Sequence, residues 1–130
     1  MHWTWGSYVD KNRLYGEYLP VSRFFAGEDL RRTESFSNLE AASQKLLILG
    51  LRETDRAYLW VKKRDWGFCQ SNAGKSPFVE KGSAVEIPGL KAGDYQAEFY
   101  DTKTGKILEK SAITAEGEML TLRLPGFPGI

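Results

Sequence analysis

Histidine and cysteine are almost missing from this chain: each occurs once, as His2 and Cys69. One cysteine closes no internal disulfide, and one histidine with one cysteine supplies no zinc site unless several carboxylates join them. No metal and no cofactor are expected. A Ser–His–Asp triad would have to rest on a residue beside the terminus, and Cys69 has no histidine near it in sequence to activate a thiolate, so both read as non-catalytic. Charge of one sign is lacking too. Lys and Arg number 18 against 17 Asp and Glu, a net charge of +1, and the basic residues cluster only at Arg31-Arg32 and Lys62-Lys63-Arg64. Nucleic acid is therefore not an expected partner. The longest apolar run, Leu46 to Leu51, is far short of a membrane span, and the N-terminus has no basic-then-apolar leader pattern. A soluble chain is expected, with its compartment, cytoplasmic or secreted, left open.

What is present is a β pattern. At 130 residues, 42% hydrophobic and 27% charged, the chain is large enough for one core and hardly for two. The stretch from Val85 to Leu108 reads as three strands and two turns. Val85 and Ile87 flank Glu86, and Tyr95, Ala97 and Phe99 alternate with Gln96 and Glu98, the period of strands with one buried face. Pro88 and Gly93 bound the first connection. Asp101 to Gly105 forms the second, with the Asp side chain accepting backbone N–H groups and the Gly taking the left-handed position, so that Tyr100 and Lys106 return antiparallel. Such a unit needs further strands to cover its apolar face. They are supplied by Lys45–Leu51 and Ala57–Lys63, a hairpin around the polar turn 52–56, and by Lys106–Ala115 and the alternating Leu120, Leu122 and Leu124. Because Ala57, Leu59 and Val61 oppose Tyr58, Trp60 and Lys62, both faces of the second hairpin strand carry apolar bulk, and it reads as a central strand. Asp65 to Gly82 is the longest irregular stretch of this part and the place for a ligand loop.

The first forty residues read differently. Asp10 can cap a helix in which Leu14, Tyr18, Val21 and Phe25 form one apolar stripe. Pro20 removes a donor and predicts a kink or break, and helical character should end near Gly27. The polar segment from Gly27 to Ser43 has neither period and reads as a surface connector, dividing the chain into 1–42 and 43–130. A helix stripe left exposed should dock on its own sheet or on a second copy of the chain, which makes a homodimer through the N-terminal helix an expectation.

Chemistry-bearing clusters are sparse. Glu80, Glu86, Glu98 and Asp101 could furnish a carboxylate pair for glycoside hydrolysis, but Glu86 and Glu98 fall on polar strand faces, where solvated charge is the simpler account. Gly74-Lys75-Ser76 ends like a phosphate loop without its upstream glycine or following helix. Aromatics are the concentrated signal. Trp3, Trp5, Trp66 and Phe68 are candidates to stack on sugar rings, whereas Trp60, inside a strand, is expected to pack in the core.

The run Arg56-Ala57-Tyr58-Leu59-Trp60-Val61, then Ile87-Pro88-Gly89-Leu90, then Tyr95 with Asp101-Thr102 and Thr104-Gly105, and finally Leu120 to Pro125, resembles the C-terminal β-sandwich of certain (β/α)8-barrel glycoside hydrolases, a domain that carries a collagen-binding name. The resemblance covers about residues 45–125. Trp3, Trp5, Tyr8, Leu14, Tyr15, Tyr18, Phe25, Gly27, Glu28, Asp29 and Leu30 are similar to the last barrel strand, last barrel helix and exit of the same proteins. It implies a mainly β fold, an antiparallel Ig-like or jelly-roll-type β-sandwich preceded by an N-terminal helix. It also implies a C-terminal fragment whose partner is the catalytic barrel. The barrel's catalytic carboxylates have no counterpart here, so catalysis by this chain alone is not implied. A carbohydrate-binding or collagen-binding module is the alternative implied role, with Trp66 and Phe68 as its ligand contacts and a polysaccharide as its partner.

Overall fold

The structure is a computed structural model, and it describes residues 10–39, 43–66, 79 and 81–127. The fold is mainly β, with antiparallel sheets and short helical turns near the N-terminus. Backbone packing divides the chain into two compact units, Met1–Asp29 with Glu98–Lys110, and Leu30–Ala97 with Ser111–Ile130.

In the larger unit, β1 (Glu34–Ser37), β2 (Leu46–Arg52) and β3 (Ala57–Lys63) form one antiparallel sheet in that order. The hairpin of β2 and β3 is the predicted one, with Ile48 opposite Val61 and Gly50 opposite Leu59. Two expectations are corrected here. The supposed connector contains β1, whose Glu34-Ser35-Phe36-Ser37 carries a single apolar residue and so gives no period to read. That residue finds its place because Gly50 opposite it has no side chain: a Cβ there would lie 2.5 Å from the Phe36 ring. Consequently β2 is the central strand and β3 an edge, the reverse of the expectation from β3's two apolar faces. The apolar bulk on both faces of β2 supports that position.

β4 (Ala84–Pro88) pairs antiparallel with β7 (Met119–Arg123), Val85 opposite Leu122 and Ile87 opposite Leu120. It does not pair with β5 (Gly93–Tyr100), its neighbour in sequence, which instead forms a two-stranded sheet with β6 (Ile107–Ala115). The single meander read from Val85 to Leu108 is thus split between two sheets. Local alternation specifies which face is apolar but not which distant strand completes the ladder. Past β4 and β7 the pairing continues through an antiparallel bridge between Val79 and Phe127. Ile48, Val79, Val85, Ile87, Leu90, Ala115, Leu120, Leu122 and Leu124 are the buried apolar residues among those described.

In the smaller unit, a 3-10 helix (Leu14–Tyr18) leads into α1 (Leu19–Phe24). Asp10 does not cap them: it lies with Lys11 and Asn12 in a preceding helical turn, and Arg13 precedes the 3-10 helix in a left-handed conformation, φ 54°, with no side-chain cap. Pro20 stands at the start of α1, where a missing N–H costs nothing, so the break falls before it rather than at it. The 3-10 segment advances three residues per turn, which shifts the phase of the stripe read at helical spacing. Its members scatter accordingly. Leu14 and Phe25 are half-buried and Tyr18 and Val21 are exposed, while Pro20, outside the stripe, is buried. The inward contacts come from Phe24, edge-on to Tyr100 at 5.0 Å, and from Pro20, whose Cα lies 3.0 Å from where a Cβ on Gly105 would stand. The hairpin turn matches its reading. Asp101 accepts from the Lys103 N–H at 2.9 Å and the Thr104 hydroxyl at 2.8 Å, Gly105 takes φ 68°, and the Asp101 N–H donates to the Lys106 carbonyl.

Candidate functional site

The sequence-predicted ligand residues divide in two. Trp66 is half-buried just beyond the end of β3. Trp3, Trp5 and Phe68 lie outside the described residues, as do His2, Cys69 and Glu80.

Trp60 is the correction. It was expected in the core, yet it is 39% exposed. Register explains why. On β3 it shares a face with Tyr58 and Lys62, and opposite it on β2 stands Leu49, on the face away from the buried Ile48. Alternation distinguished the two faces of β3 but not which of them turned inward. A cue lay in the neighbours: Lys62 shares the face of Trp60, and an ammonium is almost never fully buried unless paired. The Lys62 ammonium sits 5.6 Å from the centre of the Trp60 ring and donates to the Trp66 carbonyl at 3.0 Å. One donor and the ring thus hold it in place while leaving N–H groups for another acceptor. At the other end of the face the Arg56 guanidinium is hydrogen-bonded to Tyr58, which with the nearby Asp55 and Glu53 carboxylates holds its pKa above the ordinary value. Asp55 approaches Arg56 to 3.6 Å, so that cation is offset locally.

On the opposite face of the sheet, a groove of about 530 Å³ runs between Phe36, Asn38 and Ile48 on one side and Glu86, Pro88 and Met119 on the other. Its two side-chain amides are already engaged. The Asn38 amide copies a strand residue: its Oδ1 accepts from the Ile48 N–H at 2.8 Å, and its Nδ2 donates to the Leu46 carbonyl at 2.8 Å and to Gln44 Oε1 at 2.6 Å. Arg64 closes the same segment by donating to the carbonyls of Asn38, Leu39 and Gln44. Arg52 packs over Phe36 at 5.4 Å and donates to the Pro88 carbonyl, fixing the sheet to the end of β4.

The carboxylates considered for hydrolysis are spent separately. Lys110 donates to Glu98 at 2.8 Å, and that hydrogen bond lowers the Glu98 pKa while raising that of Lys110. Asp101 is lowered first by the Lys103 N–H and then by the Thr104 hydroxyl, the bonds that build its turn. Glu86 stands exposed on β4 at the groove. Among the described residues no cluster of three or more His, Cys, Asp or Glu could hold a metal ion, and no helix is long and apolar enough to cross a membrane.

The second concentration of unusual surface is apolar. Within the smaller unit Tyr15, Tyr18, Leu19, Val21, Ile107 and Leu108 are each between 40% and 59% exposed. Comparison with known proteins adds no identification: no family model, no curated protein and no solved structure matches the chain.

Proposed function

We propose that the chain is a non-catalytic accessory β-sandwich domain of a glycoside hydrolase, docking on the enzyme's (β/α)8 barrel through the exposed apolar side chains of its helix and distal hairpin. The observation that carries this reading is the concentration of Tyr15, Tyr18, Leu19, Val21, Ile107 and Leu108 at the surface of one small unit. A large apolar side chain gains about 1.5–3 kcal/mol on full burial, so several half-exposed ones in one small unit favour a covering partner. The sequence resemblance supplies the kind of partner. In isolation, a second copy of the chain takes the barrel's place on the same surface.

Sedimentation of the purified chain over a range of concentrations tests the docking surface. Reversible self-association is expected, and it should vanish in the Leu19→Asp, Val21→Asp double variant. A chain that stays monomeric at every concentration would remove the docking surface from the proposal. Incubation with soluble β-glucan and aryl glycosides tests the other half: no product is expected, and turnover that survives stringent purification would overturn the non-catalytic reading. The carbohydrate-binding alternative draws its support from the exposed Trp60. The collagen-binding alternative rests on the resemblance alone.

A further inference from the structure

We infer that the outer face of β3 is a binding site for an acidic polysaccharide, with Trp60 as the stacking platform and Lys62 as the group that receives a uronate carboxylate. The inference rests on the proposed glycoside-hydrolase context and names a ligand class and residues which that reading leaves open.

Three observations converge on it. Trp60 is 39% exposed on an edge strand, so that, beyond the part of its ring under the Lys62 ammonium, indole surface remains accessible to a sugar's C–H face. Next, Lys62 is placed rather than free to sweep solvent. Its bond to the Trp66 carbonyl at 3.0 Å and its approach to Trp60 at 5.6 Å set the ammonium over one side of the indole, which lowers the entropy lost on engaging a ligand. Finally, no carboxylate pairs with Lys62 among the described residues, whereas Arg56 at the far end of the face has Asp55 and Lys110 elsewhere has Glu98. A placed cation beside an exposed indole complements a ligand with a ring to stack and an anion at its edge. A hexuronic acid residue has both, and a neutral hexose has only the first. The half-buried Leu47, Leu49 and Leu51 of the same sheet face continue the surface as an apolar floor for a chain longer than one sugar.

A stacked base with its phosphate would use the same two groups in another way. The glycoside-hydrolase context favours the sugar, and the nucleic acid is set against it directly in the titration below, where a preference for it overturns the inference.

The test is titration of the full chain with oligogalacturonate, a neutral cello-oligosaccharide and single-stranded oligo-dT, read by calorimetry at two salt concentrations. Oligogalacturonate should bind more tightly than the neutral sugar, and added salt should weaken it. Lys62→Met should cost about tenfold in Kd for the uronate, the worth of one charge-assisted hydrogen bond, and clearly less for the neutral sugar. Trp60→Ala should remove both. A thermal melt of each variant, unchanged from the parent, shows that the edge strand has survived the substitution. Absence of binding, equal binding of charged and neutral sugars that is indifferent to Lys62→Met, or preference for oligo-dT would each overturn the inference. None of these outcomes bears on the sedimentation of the Leu19→Asp, Val21→Asp variant, so the two proposals fail separately.

Discussion

In the ladder of β4 and β7, Val85, Ile87, Leu120 and Leu122 are between 1% and 7% exposed, whereas in the helix and distal hairpin Tyr18, Leu19, Val21 and Leu108 lie between 46% and 59%. Val and Leu occur in both places. What differs is the partner: each apolar residue of the ladder faces another across paired strands, while the helix is only six residues of α1 after a 3-10 turn and turns inward through Pro20 and Phe24. Apolar content alone therefore says little about stability. It matters when the backbone supplies a second layer, and where it does not, the same side chains become surface available for association.

That contrast can be broken most directly by truncating both regions. Ile87→Ala and Leu120→Ala should each cost about 2–5 kcal/mol in urea unfolding, because each opens a cavity in a well-packed site. Leu19→Ala and Val21→Ala should fall within about 0.5 kcal/mol in dilute monomer, where these side chains have little burial to lose. Equal losses in the two regions would show that the helix surface is covered in solution.

A smaller effect sharpens the account of the first sheet. Gly50→Ala places a methyl group 2.5 Å from Phe36 and 3.0 Å from the Tyr58 carbonyl, so the Phe36 ring must leave β2. About 1–3 kcal/mol of destabilisation is expected, the usual scale of overpacking. Phe36→Ala in the same chain should relieve much of it, giving a double variant less damaged than the sum of the singles. Simple additivity would mean that the ring does not depend on the missing side chain.

These residues also mark how far the sequence was legible. Strands β2 to β7 stood out because each carries an alternation or an apolar run that needs no knowledge of its partner. β1 did not, since its only apolar residue is legible as a strand residue only once Gly50 is known to lie opposite. Pairing of β4 with β7 rather than with β5 is a long-range choice, and Val85 to Phe99 look equally suited to either ladder. Trp60 failed for a related reason: parity gives two faces, and the sign of each comes from the sheet's other layer. The candidate ligand face was therefore invisible as a site, although both Trp60 and Lys62 were in plain view. By contrast, the Asp101–Gly105 turn was legible in full because its geometry is written within five consecutive residues.

The smallest expected effect lies in that turn and concerns pH. Asp101 is held below its ordinary pKa by the Lys103 N–H and the Thr104 hydroxyl, and Glu98 below its own by Lys110. A depressed carboxylate pKa contributes stability that is fully present above the unfolded values, about 3.9 for Asp and 4.3 for Glu, and is lost as pH falls through the lower folded values. Lys110, raised by Glu98, contributes in the opposite sense: its part is complete below the unfolded value of about 10.4 and is lost as pH rises through the folded one. The hairpin of the smaller unit should accordingly be insensitive across neutral pH and loosen at both extremes. Following the Lys103 and Lys106 amide resonances through acid gives the readout. Their midpoint should fall below that of a free carboxylate, and Asp101→Asn, which keeps an acceptor for the Lys103 N–H, should flatten the Lys103 curve. An ordinary carboxylate midpoint at these amides would mean that the Asp101 bonds do not hold the turn in solution, and the hairpin would then owe its shape to Gly105 and the contact of Pro20 alone.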